Sequence, residues 1–228
     1  MTSPTERGLV QQEASKHELR INEIFFSIQG ESSKVGLPTI FIRLTGCPLR
    51  CRYCDTAYAF HEGNKMSIDS IINTISKYRT KHVTVTGGEP LAQKQCINLL
   101  ERLCDEGFDV SLETSGALNI ENVDDRVMKV MDIKTPSSTE QDKNNFDNLG
   151  YLTNEDQIKF VICNRTDYDW VKQLIIDKHL TDICEVLLSP EHESLNSTEL
   201  AEWILEDKLN VRLQLQLHKY LWGNKPGH

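Results

Sequence analysis

Short runs of β-branched and apolar residues alternate along this 228-residue chain with stretches of helical length. Such alternation is typical of parallel strands joined by right-handed helical crossovers. The runs predict eight strands: Glu18–Ser27, Thr39–Thr45, His82–Thr86, Asp109–Thr114, Val127–Lys134, Gln157–Ile162, Glu185–Leu188 and Asn210–His218. Four segments between them predict helices: Ser67–Tyr78, Leu91–Glu106, Thr166–Lys178 and Ser197–Asp207. The sequence therefore predicts an α/β fold, as an open sheet or as a full or partial barrel.

The chain reads as one domain over residues 19–228, because no second boundary and no repeat beyond the alternation itself is evident. Residues 1–18 are polar, and we expect them to form a tail. The stretch Thr135–Asp156 is rich in Ser, Asn and Asp, and it predicts a long mobile connection within the domain.

The charge balance excludes several classes of function. With 25 Lys and Arg against 34 Asp and Glu, the formal net charge is −9, which argues against charge-driven nucleic-acid binding. No apolar run approaches the roughly 18 residues of a membrane helix, and no signal peptide is evident at the N-terminus. An odd number of cysteines, seven, fits reduced thiols. We therefore expect a cytoplasmic protein that binds neither nucleic acid nor membrane.

Three of the cysteines form a C-x3-C-x2-C cluster on a short loop directly after a predicted strand: Cys47, Cys51 and Cys54. A structural zinc site needs four ligands, whereas an iron–sulfur cube held by three cysteines leaves one iron open for an external ligand. Arg50 and Arg52 beside them are expected to lower the pKa of the thiols. A zinc site closed by His61 is the alternative that the spacing leaves open.

Turn and polar residues follow the predicted strands, which is where ligands bind in parallel α/β folds, although turn chemistry alone explains part of this pattern. One such segment is Thr86–Pro90, with the sequence Thr-Gly-Gly-Glu-Pro. Together with the cysteine cluster, it resembles the radical S-adenosylmethionine superfamily. The resemblance implies a four-iron four-sulfur cluster on the three cysteines and S-adenosylmethionine on the open iron. It also implies that Glu89 places negative charge beside the bound ammonium group.

Further segments narrow the resemblance to the 7-carboxy-7-deazaguanine synthases: Ile28–Glu31, Arg43, Asp55–Thr56, Glu113–Gly116 and Gln216–Leu221. This family implies an incomplete parallel β/α barrel of the radical S-adenosylmethionine type and a homodimer. It also implies conversion of 6-carboxy-5,6,7,8-tetrahydropterin to 7-carboxy-7-deazaguanine, with loss of ammonia, on the route to queuosine. Magnesium assists in this family, and an external electron donor such as flavodoxin is expected as a partner.

The resemblance also implies a role for individual positions. The three clustered cysteines would ligate the iron–sulfur cluster, and Thr56 would bind Mg²⁺. The implied contacts to S-adenosylmethionine are Tyr53, Cys54, Asp55, Gly88, Glu89, Ser115, Asp132, Ile133, Lys134, Ser189, Pro190, Glu191 and His192. The implied pterin pocket consists of Ile28, Gln29, Gly30, Glu31, Arg43, Thr86 and His218.

Each assignment has an ordinary alternative. Arg43 alternates with Ile42 and Leu44, so it points either into a barrel lumen or to solvent. The polar residues of the predicted last strand would look the same on an exposed edge. Asp132 and Lys134 share a strand face and could simply pair with each other. Residues 222–228 extend beyond the usual family end, which leaves open which C-terminal group closes the pocket.

Two other functions compete with the synthase hypothesis. One is a small radical enzyme that activates a partner protein by abstracting hydrogen from a glycine; such activases share the cysteine spacing and a similar short barrel. The other is a zinc-stabilised interaction module without chemistry, held by the cysteines and His61.

Overall fold

The computed structural model describes residues 18–223, 225 and 227. Its strands are β1 (Glu18–Ile28), β2 (Pro38–Leu44), β3 (Asn64–Ser67), β4 (His82–Gly87), β5 (Asp109–Thr114), β6 (Met128–Asp132), β7 (Gln157–Ile162), β8 (Glu185–Pro190) and β9 (Arg212–Leu213). Its α-helices are α1 (Ile68–Ile75), α2 (Cys96–Asp105), α3 (Arg165–Lys178), α4 (Leu180–Ile183), α5 (Ser197–Asp207) and α6 (Leu217–Trp222). The predicted tail lies outside the described residues, except for Glu18, which begins β1.

The strands form one sheet in the order β3-β1-β2-β4-β5-β6-β7-β8-β9. Starting from β2 in this order, each neighbouring pair of strands is parallel. By contrast, β1 is antiparallel to both of its neighbours, β2 and β3. Across the described residues the sheet keeps two unpaired edges and stays open. The predicted α/β fold is therefore confirmed in the form of a partial barrel. The four-residue β3 was not predicted, because so short a run carries too little periodicity.

Strand alternation separates an outer apolar core from a polar interior. In β7, Ile158, Phe160 and Ile162 are fully buried against α3 and its neighbours, while Gln157 and Lys159 face the inside of the barrel. Burying one Ile or Phe side chain stabilises a fold by about 1.5–3 kcal/mol, so the outer core carries the stability. The interior is left to hold functional groups.

The predicted strand Asn210–His218 is wrong over most of its length. Only β9 pairs with β8, and the chain then enters α6. The N–H of Leu217 donates to the carbonyl of Gly30 at 3.0 Å, which turns the chain towards the β1–β2 loop. Alternating polar and apolar residues match a strand period, but this tertiary contact decides the local structure.

The predicted helix Leu91–Glu106 is shorter than expected, because Pro90–Ala92 forms a separate 3₁₀ turn before α2. Gln93 causes the break, since its side-chain amide donates to the carbonyls of Arg20 and Thr45, both at 2.9 Å. None of the described helices is long and apolar enough to cross a membrane.

The stretch Thr135–Asp156, predicted to be a mobile connection, instead forms three 3₁₀ turns that pack on the sheet. Asn148 holds it in place from a fully buried position. Its side-chain amide donates to the carbonyls of Gly116 and Leu118, and its Oδ1 accepts the N–H of Ile120. A polar composition predicts a surface loop, but these buried bonds are visible only in three dimensions.

We expect Asn148→Ala to lower the free energy of unfolding by about 2–3 kcal/mol, because it leaves buried backbone groups without partners. Denaturant unfolding of the anaerobically prepared protein measures this. The same change at the exposed Asn122 is the control and should be nearly neutral. Equal stability of both variants would show that Asn148 does not anchor the segment.

Candidate active site

One cavity lies inside the partial barrel, beside the cysteine loop. Most positions implied by the family resemblance line it: Ile28, Gln29, Gly30, Glu31, Arg43, Cys47, Cys51, Tyr53, Cys54, Asp55, Thr56, Thr86, Gly88, Ser115, Asp132, Lys134, Glu191 and His218. Residues from both ends of the sequence thus surround a single space, and Arg43 faces the lumen.

The β1–β2 loop forms the floor of this cavity. Because β1 is antiparallel to β2, the loop enters from the amino-terminal end of the parallel strands, although it directly follows a strand in the sequence. Gln29 fixes it from the inside: its Nε2 donates to Oγ1 of Thr84 at 3.0 Å, and its Oε1 accepts the N–H of Glu31. Gln29–Glu31 is therefore more than a surface turn.

The Gly-Gly turn after β4 supports the cysteine loop. A Cβ atom on Gly88 would lie 2.4 Å from the carbonyl oxygen of Gly46 and 2.7 Å from Cβ of Cys47. The N–H of Glu89 donates to that same Gly46 carbonyl at 2.8 Å. Only a residue without a side chain permits this approach, so the second glycine positions the first cysteine.

We expect Gly88→Ala to lower the iron bound after reconstitution several-fold, because the new methyl group displaces Cys47. Iron analysis and the visible absorption spectrum measure the loss. Gly150→Ala is the control, since a Cβ atom at Gly150 meets nothing within 4 Å. Normal iron content in Gly88→Ala would contradict this support role.

The three clustered thiols fit an iron–sulfur cluster. All the described cysteines are unbridged, and these three line the same cavity. Burial raises the pKa of Cys51 to about 11; Lys134 opposes this rise, whereas Cys47 and Cys54 add to it. Thiols held together in this way need a positive partner to ionise, which iron supplies.

The expected help from the flanking arginines is not present. The Arg50 guanidinium instead donates to the carbonyls of Cys47 and Leu49 and lies over the ring of Phe60. Burial raises the pKa of Cys47, and the main charged groups that act on this thiol are Glu89, Cys54 and Lys134. Both arginines are exposed, so solvent screens their charge. The Arg50 guanidinium is also occupied by its backbone carbonyl partners.

The zinc alternative lacks a preformed site. Among the described residues, no three His, Cys, Asp or Glu side chains converge closely enough to hold one metal ion. His61 is exposed and packs edge-on against Phe60, outside the cavity lining. A four-iron cube is wider than a single ion, so its three ligands need not converge on one point.

Glu89 was predicted to lie beside the ligand, but the structure places it behind the cavity wall. It is fully buried, and its carboxylate accepts the N–H of Ser115 at 2.7 Å and the hydroxyl of Thr114 at 3.0 Å. A buried carboxylate needs such donors, which explains why it turns away from the lumen. Glu89 thereby positions Ser115, which does line the cavity.

Four other predicted contacts also lie outside the lining: Ile133, Ser189, Pro190 and His192. Ile133 packs in the outer core because it alternates with the inward Asp132. Ser189 is fully buried, and its hydroxyl has no hydrogen-bond partner among the described residues. His192 is exposed beyond the end of β8. These four side chains therefore do not line the cavity, and their contact with S-adenosylmethionine stays a prediction.

A chain of buried charges links the floor of the cavity to the cysteine loop. Lys159 binds the carboxylate of Glu31 and lies 3.5 Å from that of Asp132. Asp132 in turn lies 3.1 Å from Nζ of Lys134. The pair Asp132–Lys134 therefore forms, as the sequence allowed, but inside the site and not on the surface.

The pKa values of the two carboxyl groups Glu31 and Glu113 shift in opposite directions. Burial alone would raise the pKa of Glu31, but Lys159 brings it below its ordinary value. Burial and the Glu31 carboxylate raise the pKa of Glu113, which accepts the hydroxyl of Thr86 at 3.1 Å. The cavity thus holds one carboxylate that stays ionised and a second carboxyl group that protonates more readily.

The C-terminal helix closes the side of the cavity. A Cβ atom on Gly30 would lie 2.1 Å from Nδ1 of His218, so the imidazole packs directly on this glycine. Nε2 of Gln216 donates to Oε1 of Glu31 at 2.6 Å. Nζ of Lys219 lies 3.1 Å from the carboxylate of Asp55. Within the described part of the C-terminus, His218, Lys219 and Gln216 close this side of the pocket.

Comparison with known proteins identifies the family of this chain. The radical SAM superfamily model matches residues 41–133. The 7-carboxy-7-deazaguanine synthase of Chlorobaculum tepidum is 45% identical over 208 residues, covering 90% of this chain and 94% of the relative. That of Koribacter versatilis is 41% identical over 219 residues, covering 90% and 97%.

A solved structure matches the fold. QueE from Escherichia coli superposes with a TM-score of 0.75 at 24% identity, covering 91% of this chain and 98% of that one. With a cysteine loop beside a polar lumen and relatives that match nearly from end to end, the chain belongs to the 7-carboxy-7-deazaguanine synthase family of the radical S-adenosylmethionine superfamily.

Proposed function

We propose that this chain converts 6-carboxy-5,6,7,8-tetrahydropterin to 7-carboxy-7-deazaguanine, with loss of ammonia, as a radical S-adenosylmethionine lyase. The observation that carries the proposal is that the cysteine loop and the implied pterin residues line the same cavity. A cofactor held at the cysteine loop and a substrate held by the pterin residues would therefore share one space within the protein.

Cys47, Cys51 and Cys54 would hold three irons of a four-iron four-sulfur cluster, leaving the fourth for S-adenosylmethionine. When bound and reduced, this pair supplies the 5′-deoxyadenosyl radical that abstracts hydrogen in the superfamily. Around it, Tyr53, Asp55, Gly88, Ser115, Asp132, Lys134 and Glu191 would contact S-adenosylmethionine. Thr56 would offer its hydroxyl to Mg²⁺, which prefers oxygen ligands.

The residues at the other end of the cavity would bind and orient the pterin substrate. The Arg43 guanidinium, which faces the lumen, would form a fork with the substrate carboxylate. Glu31 stays ionised beside Lys159 and would accept hydrogen bonds from the pterin amino groups. Glu113, with its raised pKa, would hold a proton at its carboxyl group more readily than Glu31 does. The pocket thus presents a cation, an anion and a protonatable acid around one ring system.

An external one-electron donor such as flavodoxin would reduce the cluster, and the active form would be a homodimer in the cytoplasm. The product would enter the synthesis of queuosine and related 7-deazapurines.

The test measures 5′-deoxyadenosine formed by the anaerobically reconstituted protein with S-adenosylmethionine, Mg²⁺ and a reductant. We expect the rate to rise with 6-carboxytetrahydropterin and to saturate, because the pterin fills the cavity beside the cluster. A rate of 5′-deoxyadenosine formation that does not depend on the pterin concentration would contradict the proposal and favour an activase. A colourless protein holding one zinc, with no cluster after reconstitution, would favour the zinc module.

A further inference from the structure

Arg43 is held by a residue to which the family resemblance assigns no role. Its Nε–H donates to Oε1 of Glu23 at 2.8 Å. Within the described residues, the guanidinium has no other hydrogen-bond acceptor, so Nη1 and Nη2 remain for a ligand. Only 12% of the Arg43 side chain and 24% of the Glu23 side chain are exposed, so solvent competes weakly for this pair.

A β-bulge in β1 aims Glu23 at this arginine. The register of β1 on β2 shifts between Ile21 and Glu23. Before the shift, Leu19 and Ile21 lie in the outer core; after it, Ile24 packs against that core. The outward face therefore changes from odd to even positions, and Glu23 points inward, opposite Arg43 in the ladder. Bulges occur beside active sites because they re-aim a side chain in this way.

Aromatic groups complete the support. The hydroxyl of Tyr58 donates to the same Oε1 of Glu23 at 2.9 Å. The Arg43 guanidinium carbon lies 5.6 Å from the ring centre of Phe25 and 5.7 Å from that of Tyr58. The plane of the guanidinium is thus confined by two rings, and its Nε edge is occupied by a carboxylate.

We propose that Glu23 is a positioning residue that fixes Arg43 so that Nη1 and Nη2 face the substrate carboxylate as a fork. This inference rests on the proposed function, which supplies a carboxylated pterin. Because Glu23 occupies the Nε edge, the substrate carboxylate meets the guanidinium end-on, in a single orientation. If Glu23 acted through its charge alone, Glu23→Gln would change carboxylate binding as much as Glu23→Ala does.

The test measures binding of 6-carboxypterin and of pterin, which lacks the carboxylate, to the anaerobically reconstituted protein with S-adenosylmethionine, by titration calorimetry. The variants are Glu23→Ala, which removes the acceptor for Nε–H, and Glu23→Gln, which keeps an oxygen acceptor without the charge. Glu62→Gln is the matched control, because Glu62 is exposed and lies outside the cavity lining.

We expect Glu23→Ala to weaken binding of 6-carboxypterin about tenfold, the cost of losing a hydrogen bond to a charged group. Glu23→Gln should bind it within about threefold of wild type, and no variant should change pterin binding by more than about twofold. Unchanged 6-carboxypterin binding in Glu23→Ala, equal losses for both ligands, or equal losses in Ala and Gln would each overturn the inference. If wild type binds neither ligand, the proposed function fails, and this inference fails with it.

Discussion

Cys51→Ala is expected to leave the reconstituted protein with almost no bound iron and no measurable cleavage of S-adenosylmethionine. The variant retains only two of the three thiolates that would hold the cluster, so the cluster is held less tightly. Even an outer partner of a metal ligand is worth about 10–100-fold in metal affinity, so loss of the ligand itself costs more. Iron and sulfide analysis, with the visible absorption of the cluster, measures the result.

The control for this variant is Cys104→Ala. Cys104 lies in α2, is half-buried, and packs against the outer core away from the cavity. Its removal should leave the iron content unchanged. Wild-type iron and turnover in Cys51→Ala would contradict the assignment of the cysteine loop.

Lys159→Met should lower the free energy of unfolding by about 3–5 kcal/mol, because it leaves the buried carboxylates of Glu31 and Asp132 without their shared cation. For a chain of this size, that loss corresponds to a fall in Tm of roughly 10 °C. Calorimetry of the anaerobically prepared protein measures it. Pterin binding should also fall, since Glu31 forms part of the floor of the cavity.

The loss of stability in Lys159→Met should become smaller as the pH falls. In wild type the pKa of Glu31 is lowered from 4.5, so its contribution to stability is present above that pH and is lost as the pH falls. The difference in Tm between wild type and Lys159→Met should therefore narrow in acid.

Two further variants test whether the buried charges cause this loss of stability. Adding Glu31→Gln to Lys159→Met removes the carboxylate that loses its cation, whereas Asp132 keeps Lys134, so part of the stability should be recovered. Lys81→Met, at an exposed position, should change Tm little. A Tm of Lys159→Met equal to that of Lys81→Met would show that the buried charges are not coupled as the structure indicates.

Local patterns in the sequence predict the sheet and the cysteine loop well. Each parallel strand from β2 to β8 was predicted within a few residues, because apolar periodicity and turn chemistry are both local signals. The Gly-Gly turn was also identifiable, since its two glycines stand directly after a strand. The structure adds the reason for Gly88, which is the backbone of Gly46 lying against it.

Long-range partners explain what the sequence did not reveal. Lys159 and Glu31 lie 128 positions apart, so neither predicts the other, although a lysine within a buried parallel strand is itself a signal. Glu23 faces inward only because a bulge changes the parity of β1, and a strict period of two would place it outward. The C-terminal helix forms because Leu217 meets Gly30, a contact that no local pattern contains.

Mass spectrometry of the product made from 6-carboxytetrahydropterin is the most direct test of the proposed reaction. The reconstituted protein, with S-adenosylmethionine, Mg²⁺ and a reductant, should yield 7-carboxy-7-deazaguanine, lighter than the substrate by the loss of ammonia. Recovery of the intact pterin from a protein that carries its cluster and cleaves S-adenosylmethionine would contradict the assignment of this cavity as the site of the conversion.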